Sequence, residues 1–186
     1  MRIISGFLKG KKINYLRNTI TRPLKDNVKE NIFNIIQHSS FIDVKIKSAN
    51  VLDLFSGIGS FGIECISRDA KKVTFVERDF NAIKTLKENL IKHSIIKKVS
   101  LLNSEIERAI DNCKKEKFNI FFFDPPFVIN NIEKYLYLIK KNKMYKKKHI
   151  VIIHREKKTE DNLNEFLKTI KIKKYGRSKI IFGFFI

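Results

Sequence analysis

Apolar residues along the chain follow two spacings that alternate. Short apolar runs rich in branched and aromatic side chains predict buried strands, and longer segments with helical periodicity predict helices between them. The predicted strands are 50–55, 72–77, 98–103, 118–124 and 149–154. The predicted helices are 60–69, 81–94, 104–115, 131–142 and 159–169, with Ser104 as an N-cap. Such alternation predicts a mostly parallel, doubly wound α/β sheet, in which the apolar run "FNIFFFD" is a central strand.

Both ends of the chain depart from this pattern. At the C-terminus, two strand-like runs flank "YGRS", which predicts a hairpin and an antiparallel last strand. At the N-terminus, residues 2–16 predict a basic hairpin or pair of strands with turns at Gly6 and Gly10, followed by an amphipathic helix. The apolar stripe of that helix consists of Val28, Ile32, Ile35 and Ile36. We therefore divide the chain into an N-terminal extension, 1–47, and a larger domain, 48–186.

The composition is strongly basic, with 39 Lys and Arg against 19 Asp and Glu in 186 residues, a net charge of +20. This balance favours a polyanionic partner such as nucleic acid, although abundant lysine also follows from an adenine- and thymine-rich genome. The two cysteines are far apart, which argues against a disulfide framework or a metal site and favours a reducing cytoplasm. We expect no membrane segment and no secretory signal.

The stretch "DLFSGIGSFGIE" carries the spacing G-x-G-x-x-G at Gly57, Gly59 and Gly62. Glycines between a strand and a helix let a nucleotide-like ligand approach the backbone, so this motif alone fits NAD and S-adenosylmethionine equally. Glu77, at the end of the second strand, can accept both hydroxyls of a ribose in either case. Its structural alternative is an ordinary helix-capping carboxylate.

Asp53 discriminates between the two cofactors. A carboxylate directly before the loop would repel a pyrophosphate at close range, by about 1 kcal/mol or more. The sulfonium and ammonium groups of S-adenosylmethionine would instead be attracted. The alternative is a buried carboxylate that accepts hydrogen bonds from loop N–H groups.

The turn "DPPF" follows the predicted central strand. Two prolines end the strand and fix the backbone, so the side chain of Asp124 and the neighbouring carbonyl groups project rigidly at the ligand-binding edge of the sheet. Such acceptors suit an exocyclic amine, and Phe127 can stack on a flipped base. The alternative is a plain strand-ending turn.

Together, "DLFSGIGSFGIECISRDA", "FVERD" and "FFFDPPF" resemble the class I methyltransferases that modify amino groups. The N-terminal "MRIISGFLKGKKI" and "TRPLKDNVKENIFNII" narrow the resemblance to the RsmD family of small-subunit ribosomal RNA guanine-N2 methyltransferases. It implies a Rossmann-like, seven-stranded mixed sheet with an antiparallel last strand, and S-adenosylmethionine as cofactor. It also implies that the protein acts on small-subunit ribosomal RNA or an assembly intermediate. Nothing in the sequence indicates an obligate dimer, so we expect a monomer, in the cytoplasm.

The resemblance assigns residues to three tasks. Guanine N2 would be held by Asp124 and the Pro125 carbonyl within the turn Asp124, Pro125, Pro126 and Phe127. The cofactor site would comprise Asp53, Phe55, Ser56, Gly57, Gly59, Glu77, Arg78, Asn103, Ser104, Glu105 and Asp124. RNA would be contacted by Arg2, Lys9, Lys11, Lys12, Arg22, Asp26 and Lys29.

The chain departs from the family pattern R-P-T-x-D-R-V-R-E in its N-terminal helix. Leu24, Asn27 and Lys29 replace a threonine and two arginines, and His154 stands where family members often carry a glutamate. The loss of an arginine at 27 removes a fork-shaped phosphate contact.

Three other functions remain open from the sequence. A dehydrogenase could use the glycine loop for NAD, a catalytically silent RNA-binding assembly factor could retain the fold, and the same chemistry could serve DNA adenine or protein glutamine.

Overall fold

A computed structural model describes residues 1–15 and 24–186. Seven strands form one mixed sheet in the order β3-β2-β1-β4-β5-β7-β6. The strands are β1 Asn50–Leu54, β2 Lys72–Glu77, β3 Val99–Asn103, β4 Phe118–Phe123, β5 Tyr145–Glu156, β6 Leu167–Tyr175 and β7 Ser178–Phe185. The α-helices are α1 Asp26–His38, α2 Ser60–Ser67, α3 Phe80–Lys92, α4 Ile106–Cys113 and α5 Glu133–Lys141.

The topology confirms the doubly wound sheet and the C-terminal hairpin. Strands β1 to β5 pair in parallel, and β7 runs antiparallel to both β5 and β6. The helix predicted at 159–169 is wrong. In its place a turn leads into β6, because the buried Arg155 holds Asp161 through two hydrogen bonds of 2.8 and 2.9 Å and ties the connection to β5.

The core lies on both faces of the sheet. Along β4, Ile120 and Phe122 face the side covered by α1, α2 and α3, whereas Phe121 and Phe123 face the side of α4 and α5. Side chains alternate between faces along a strand, so both sets are buried only because helices cover both faces. The prediction of a central strand is therefore confirmed.

The N-terminal segment lies against α2. Glu64, a fully buried residue, accepts hydrogen bonds from the N–H groups of Ile4 and Ser5 at 2.8 and 2.9 Å. Gly6 has φ +81°, and a Cβ there would lie 1.7 Å from the carbonyl oxygen of Ser67, so only glycine fits. The predicted hairpin is reduced to one antiparallel bridge, between Arg2 and Lys12.

Residues of the N-terminal extension and the larger domain share one core. Ile3, Val28 and Ile32 are buried in the same cluster as Val51 and Phe122. The boundary at residue 47 stays a prediction. Among the described helices none is long and apolar enough to cross a membrane.

Candidate active site

Three carboxylates meet where β1, β2 and β4 end, an edge of the sheet that we call the catalytic edge. They belong to Asp53 in β1, Glu77 at the end of β2 and Asp124 directly after β4. Burial raises the pKa of Asp53 well above its usual range, and the negative charges of Asp124 and Glu77 raise it further. Concentrated negative charge at this edge favours a cationic ligand and opposes a phosphate.

Asp53 lies behind the glycine loop. Its side chain is buried, and its Oδ2 accepts a hydrogen bond of 2.9 Å from the N–H of Gly62 in the first turn of α2. The structural alternative raised from the sequence, a buried carboxylate held by a backbone N–H, describes this arrangement. In this arrangement Asp53 is held against α2 behind the loop, and its contact with a cofactor stays a prediction.

The N–H groups of the glycine loop are largely occupied within the protein. The N–H of Ser56 donates to the Val76 carbonyl at 2.9 Å, and that of Gly59 donates to the Ser56 carbonyl at 2.8 Å. The N–H of Gly57 donates to Oε2 of Glu77 at 2.8 Å. A pyrophosphate-binding loop needs such groups free for the ligand. Together with the three carboxylates, these bonds argue against a dinucleotide.

The three glycines of the loop have different tasks. A Cβ at Gly59 would lie 2.3 Å from Leu86, and one at Gly62 would lie 2.2 Å from Phe75, so both positions serve close packing. Gly57 has φ +53° and open space where a Cβ would be. Beside it, Ser56 Oγ is buried without a hydrogen-bond partner among the described residues. The open space and this unsatisfied hydroxyl fit a polar ligand seated on the loop.

The end of β2 offers further polar groups. The two oxygens of Glu77 accept N–H bonds from Gly57 and Asp79, and Asp79 caps α3 by accepting from the Ala82 N–H at 2.7 Å. The helix-capping alternative for Glu77 is thus wrong. The side-chain amide of Asn103 donates to the carbonyl groups of residues 77 and 78 at 2.9 and 3.1 Å.

Two residues around α4 require comment. The N-cap of α4 is Glu105, which makes no side-chain capping bond, so the prediction of Ser104 as N-cap is wrong. Ser104 Oγ instead donates to the Glu105 carbonyl at 3.2 Å. Arg78 and Glu105 form an exposed ion pair of 3.4 Å beside Asn103, which brings the residues predicted to flank ribose and adenine together.

Asp124 is held by a residue that the sequence did not identify as its partner. Nδ1 of His154, in β5, lies 2.7 Å from Oδ1 of Asp124. Since a carboxylate only accepts hydrogen bonds, Nδ1 carries the proton. The second oxygen, Oδ2, accepts no hydrogen bond from the residues that the structure describes. The side chain of Asp124 is 24% exposed and therefore accessible. Strand register alone could have suggested the pair, because Phe123 and Ile153, the residues before them, are directly paired.

The "DPPF" turn closes on itself. The Pro126 carbonyl accepts a bond of 2.9 Å from the N–H of Ile129, and Pro125 is buried. The ring of Phe127 stands edge-on to that of His154, with 6.0 Å between centroids. Phe55, from the glycine loop, packs against Tyr135 of α5. The turn thus sets an aromatic side chain and an oriented carboxylate next to each other.

The residues predicted to contact RNA fall into separate groups. Arg2, Lys9, Lys11 and Lys12 are exposed, and the segment that carries Lys9 lies beside Ser67, at the end of α2 remote from the catalytic edge. Arg22 lies outside the described residues.

Lys29 requires a correction. Its side chain is fully buried, and its ammonium donates to the Arg2 carbonyl at 3.0 Å and to Ser60 Oγ at 3.2 Å, with Asp26 at 3.5 Å. Burial lowers its pKa. It links the N-terminal segment to α2 and is not available to phosphate. Asp26 is half-buried beside it.

Comparisons with known proteins agree with this geometry. The family described as "Conserved hypothetical protein 95" matches residues 1–184. A Bacillus subtilis protein named "Putative rRNA methyltransferase YlbH" is 35% identical over 162 residues, 86% of this chain and 85% of that protein. The "Ribosomal RNA small subunit methyltransferase D" of Haemophilus influenzae is 34% identical over 159 residues, 84% and 79% of the two chains.

A solved structure shows the same fold. The Escherichia coli protein named "Putative methyltransferase yhhF" superposes with a TM-score of 0.83 and 25% identity, covering 98% of this chain and 96% of that one. The fold and the catalytic edge define a class I methyltransferase that depends on S-adenosylmethionine. The chain belongs to the Conserved hypothetical protein 95 family, the RsmD family that its motifs resemble.

Proposed function

We propose that this methyltransferase acts in the cytoplasm on small-subunit ribosomal RNA and methylates the exocyclic N2 amine of a guanine. The relatives named for ribosomal RNA support the substrate. The observation that carries the choice of an amine is the pair of Asp124 and His154 at the catalytic edge, which leaves one oriented carboxylate oxygen for an N–H donor.

The cofactor, when bound, supplies an electrophilic methyl group attached to a sulfonium. Glu77 would accept from its ribose, Gly57 and Ser56 would border its methionine end, and Asn103 would border its adenine. Burial disfavours the ionised form of Asp53, and the positive groups of such a ligand would favour that form.

The residues of the turn position the amine. The lone pair of guanine N2 is delocalised into the ring, which makes this nitrogen a poor nucleophile. Oδ2 of Asp124 and the Pro125 carbonyl would each accept a hydrogen bond from one of its two N–H groups, so positive charge that develops on nitrogen is stabilised where it forms. No hydrogen bond to the Pro125 carbonyl is made by other residues in the part of the chain that the structure describes. Phe127 stacks on the base once it has left its helix.

His154 gives this chain its own version of the site. A glutamate at this position would place a second carboxylate beside Asp124, whereas the imidazole N–H fixes the orientation of Asp124. We assign His154 as a positioning residue, because it acts through Asp124 and need not touch the substrate.

Transfer of a tritiated methyl group to unmodified small-subunit RNA, and to subunits, tests the proposal. Nucleoside mapping of the product should place the label in N2-methylguanosine, and the Asp124→Ala variant should label the RNA about 10²- to 10³-fold more slowly. Label in another nucleoside, in DNA adenine or in protein glutamine would refute the specific substrate. A protein that binds RNA and transfers no methyl group to any substrate would be the silent assembly factor instead.

A further inference from the structure

A cleft lies between α1 and β6, on the face of the sheet that α1 covers. Its volume is about 630 Å³, and its walls include Asn31, Asn34 and His38 from α1 and Lys171, Lys173 and Lys174 from β6. We propose that this basic cleft binds the phosphate backbone of the RNA substrate. The proposal rests on the proposed function, since it names the path that the substrate takes from the catalytic edge.

The charges of the basic cleft are unpaired. No acidic residue lines it, and within the described residues none of its three lysines has a carboxylate within 4 Å. A concave surface lined by lysines attracts polyanions, since neutralising each phosphate releases counterions. The side-chain amides of Asn31 and Asn34 can also donate to phosphate oxygens.

A second lysine-lined cavity provides a contrast. It holds Lys45, Lys47, Lys146 and Lys148, but its Asp43 pairs with Lys148 at 2.6 Å. It also lies at the amino ends of the central strands, opposite the catalytic edge. Lysine content alone therefore does not distinguish the basic cleft; its position does, together with the absence of an acidic residue from its lining.

The basic cleft starts at the same end of the sheet as the active site. Tyr175 lines the cleft at the end of β6 and pairs with Ser178 of β7. Ser178 in turn pairs with Glu156, two residues beyond His154 in β5. Three strand spacings, about 14 Å, separate β4 from β6. From Lys171 to Tyr175 the strand rises about 13 Å, which equals roughly four phosphate spacings along one strand of a duplex. A nucleotide held at Asp124 can thus continue into the cleft.

Lysines on an edge strand have a competing explanation, because they also prevent edge-to-edge aggregation. β6 is such an edge. Two triple variants separate the explanations: glutamine at 171, 173 and 174 removes charge, while glutamate at the same positions keeps the edge charged and repels RNA. The matched control is the triple variant Lys45→Gln, Lys47→Gln, Lys146→Gln, which removes the same charge from the second cavity.

The measurement is the affinity for a small-subunit RNA fragment as a function of salt, without cofactor. The cleft glutamine variant should bind about tenfold or more weakly, with a salt slope lower by about three, and the glutamate variant more weakly still. The control should stay near wild type. Melting temperatures and S-adenosylmethionine affinities should be unchanged in all variants.

Three results would overturn the inference. Equal weakening by the cleft and control variants would indicate a general charge effect. If the glutamine variant aggregates while the glutamate variant stays soluble and binds RNA normally, the only role of these lysines would be to prevent aggregation at the edge strand. Lost methylation of subunits with unchanged affinity for naked RNA would point to a protein partner. Failure of the proposed function is recognised separately, by a wild-type protein that methylates no guanine.

Discussion

Asp53 and Asp124 belong to neighbouring strands and end in opposite environments. Asp53 is the fourth residue of β1 and pairs with Phe122 in the register, so its side chain points from within the sheet towards α2 and is buried. Asp124 follows the last residue of β4, and its side chain is 24% exposed. A carboxylate inside the strand is covered by the next helix, whereas one directly after the strand stays open to solvent.

The two aspartates also differ in the hydrogen bonds that hold them. Asp53 holds the first turn of α2 through the Gly62 N–H, and Asp124 is held by His154 with one oxygen free of hydrogen bonds from the described residues. Under the proposed function, the first aspartate would shape the cofactor loop and contribute charge, while the second would position the substrate. Substitutions at the two positions should differ in kind as well as in size.

The largest effect is expected at Asp124. Asp124→Ala removes an acceptor aimed at charge that develops in the transition state, so kcat should fall by about 10²- to 10³-fold. The affinity for S-adenosylmethionine should change by less than about threefold, since the residue acts on the amine. Single-turnover methylation with calorimetric binding measures both. Full activity in this variant would remove Asp124 from the mechanism.

The next largest effect is expected at His154, which hydrogen-bonds to Asp124. His154→Ala leaves Asp124 free to rotate and should lower kcat by roughly tenfold, at unchanged RNA affinity. His154→Asn is the matched control, because its amide can donate from near the position of Nδ1 and should restore most of kcat. A purely structural role would instead lower the melting temperature of both variants and leave the ratio of their kcat values near one.

The sequence predicted the strands and most helices because their periodicity is local. Side-chain environments were harder, since they depend on residues distant in sequence. In the sequence Lys29 is one lysine among many, yet in the structure its side chain is buried and donates to the Arg2 carbonyl and to Ser60 Oγ. The partner of Asp124 stands 30 residues later, and only the pairing of β4 with β5 brings it near. Asp161 likewise lies in the segment predicted as a helix, but in the structure it forms a buried ion pair with Arg155.

Asp53→Asn tests whether ionisation of the buried Asp53 makes the stability of the protein depend on pH. Burial raises the folded-state pKa of Asp53, so its ionisation in the folded protein costs stability as pH rises from about 4, its unfolded value, through the folded pKa. The variant should melt higher than wild type at pH 7, by roughly 2–4 °C, the shift that about 1 kcal/mol gives in a domain of this size. The gain should vanish below about pH 4.

The same variant also reports on the ligand. Loss of the buried charge should weaken S-adenosylmethionine binding by about three- to tenfold, while kcat at saturating cofactor stays within about threefold. Thermal unfolding across pH and calorimetric titration measure these effects. A melting temperature difference that is independent of pH would show that ionisation of Asp53 does not govern the stability of the loop.

The smallest effect is expected at Lys29, which supports α2 from the N-terminal side. Lys29→Met leaves the Arg2 carbonyl and Ser60 Oγ without their donor and should cost about 1 kcal/mol, a fall of about 2–4 °C in melting temperature. Lys29→Arg, the residue of the family pattern, is the control and should melt near wild type. RNA affinity should be equal in both variants, because a buried ammonium contacts no phosphate. A steep loss of RNA affinity in Lys29→Met alone, at unchanged melting temperature, would return Lys29 to the RNA-binding surface and contradict its structural role.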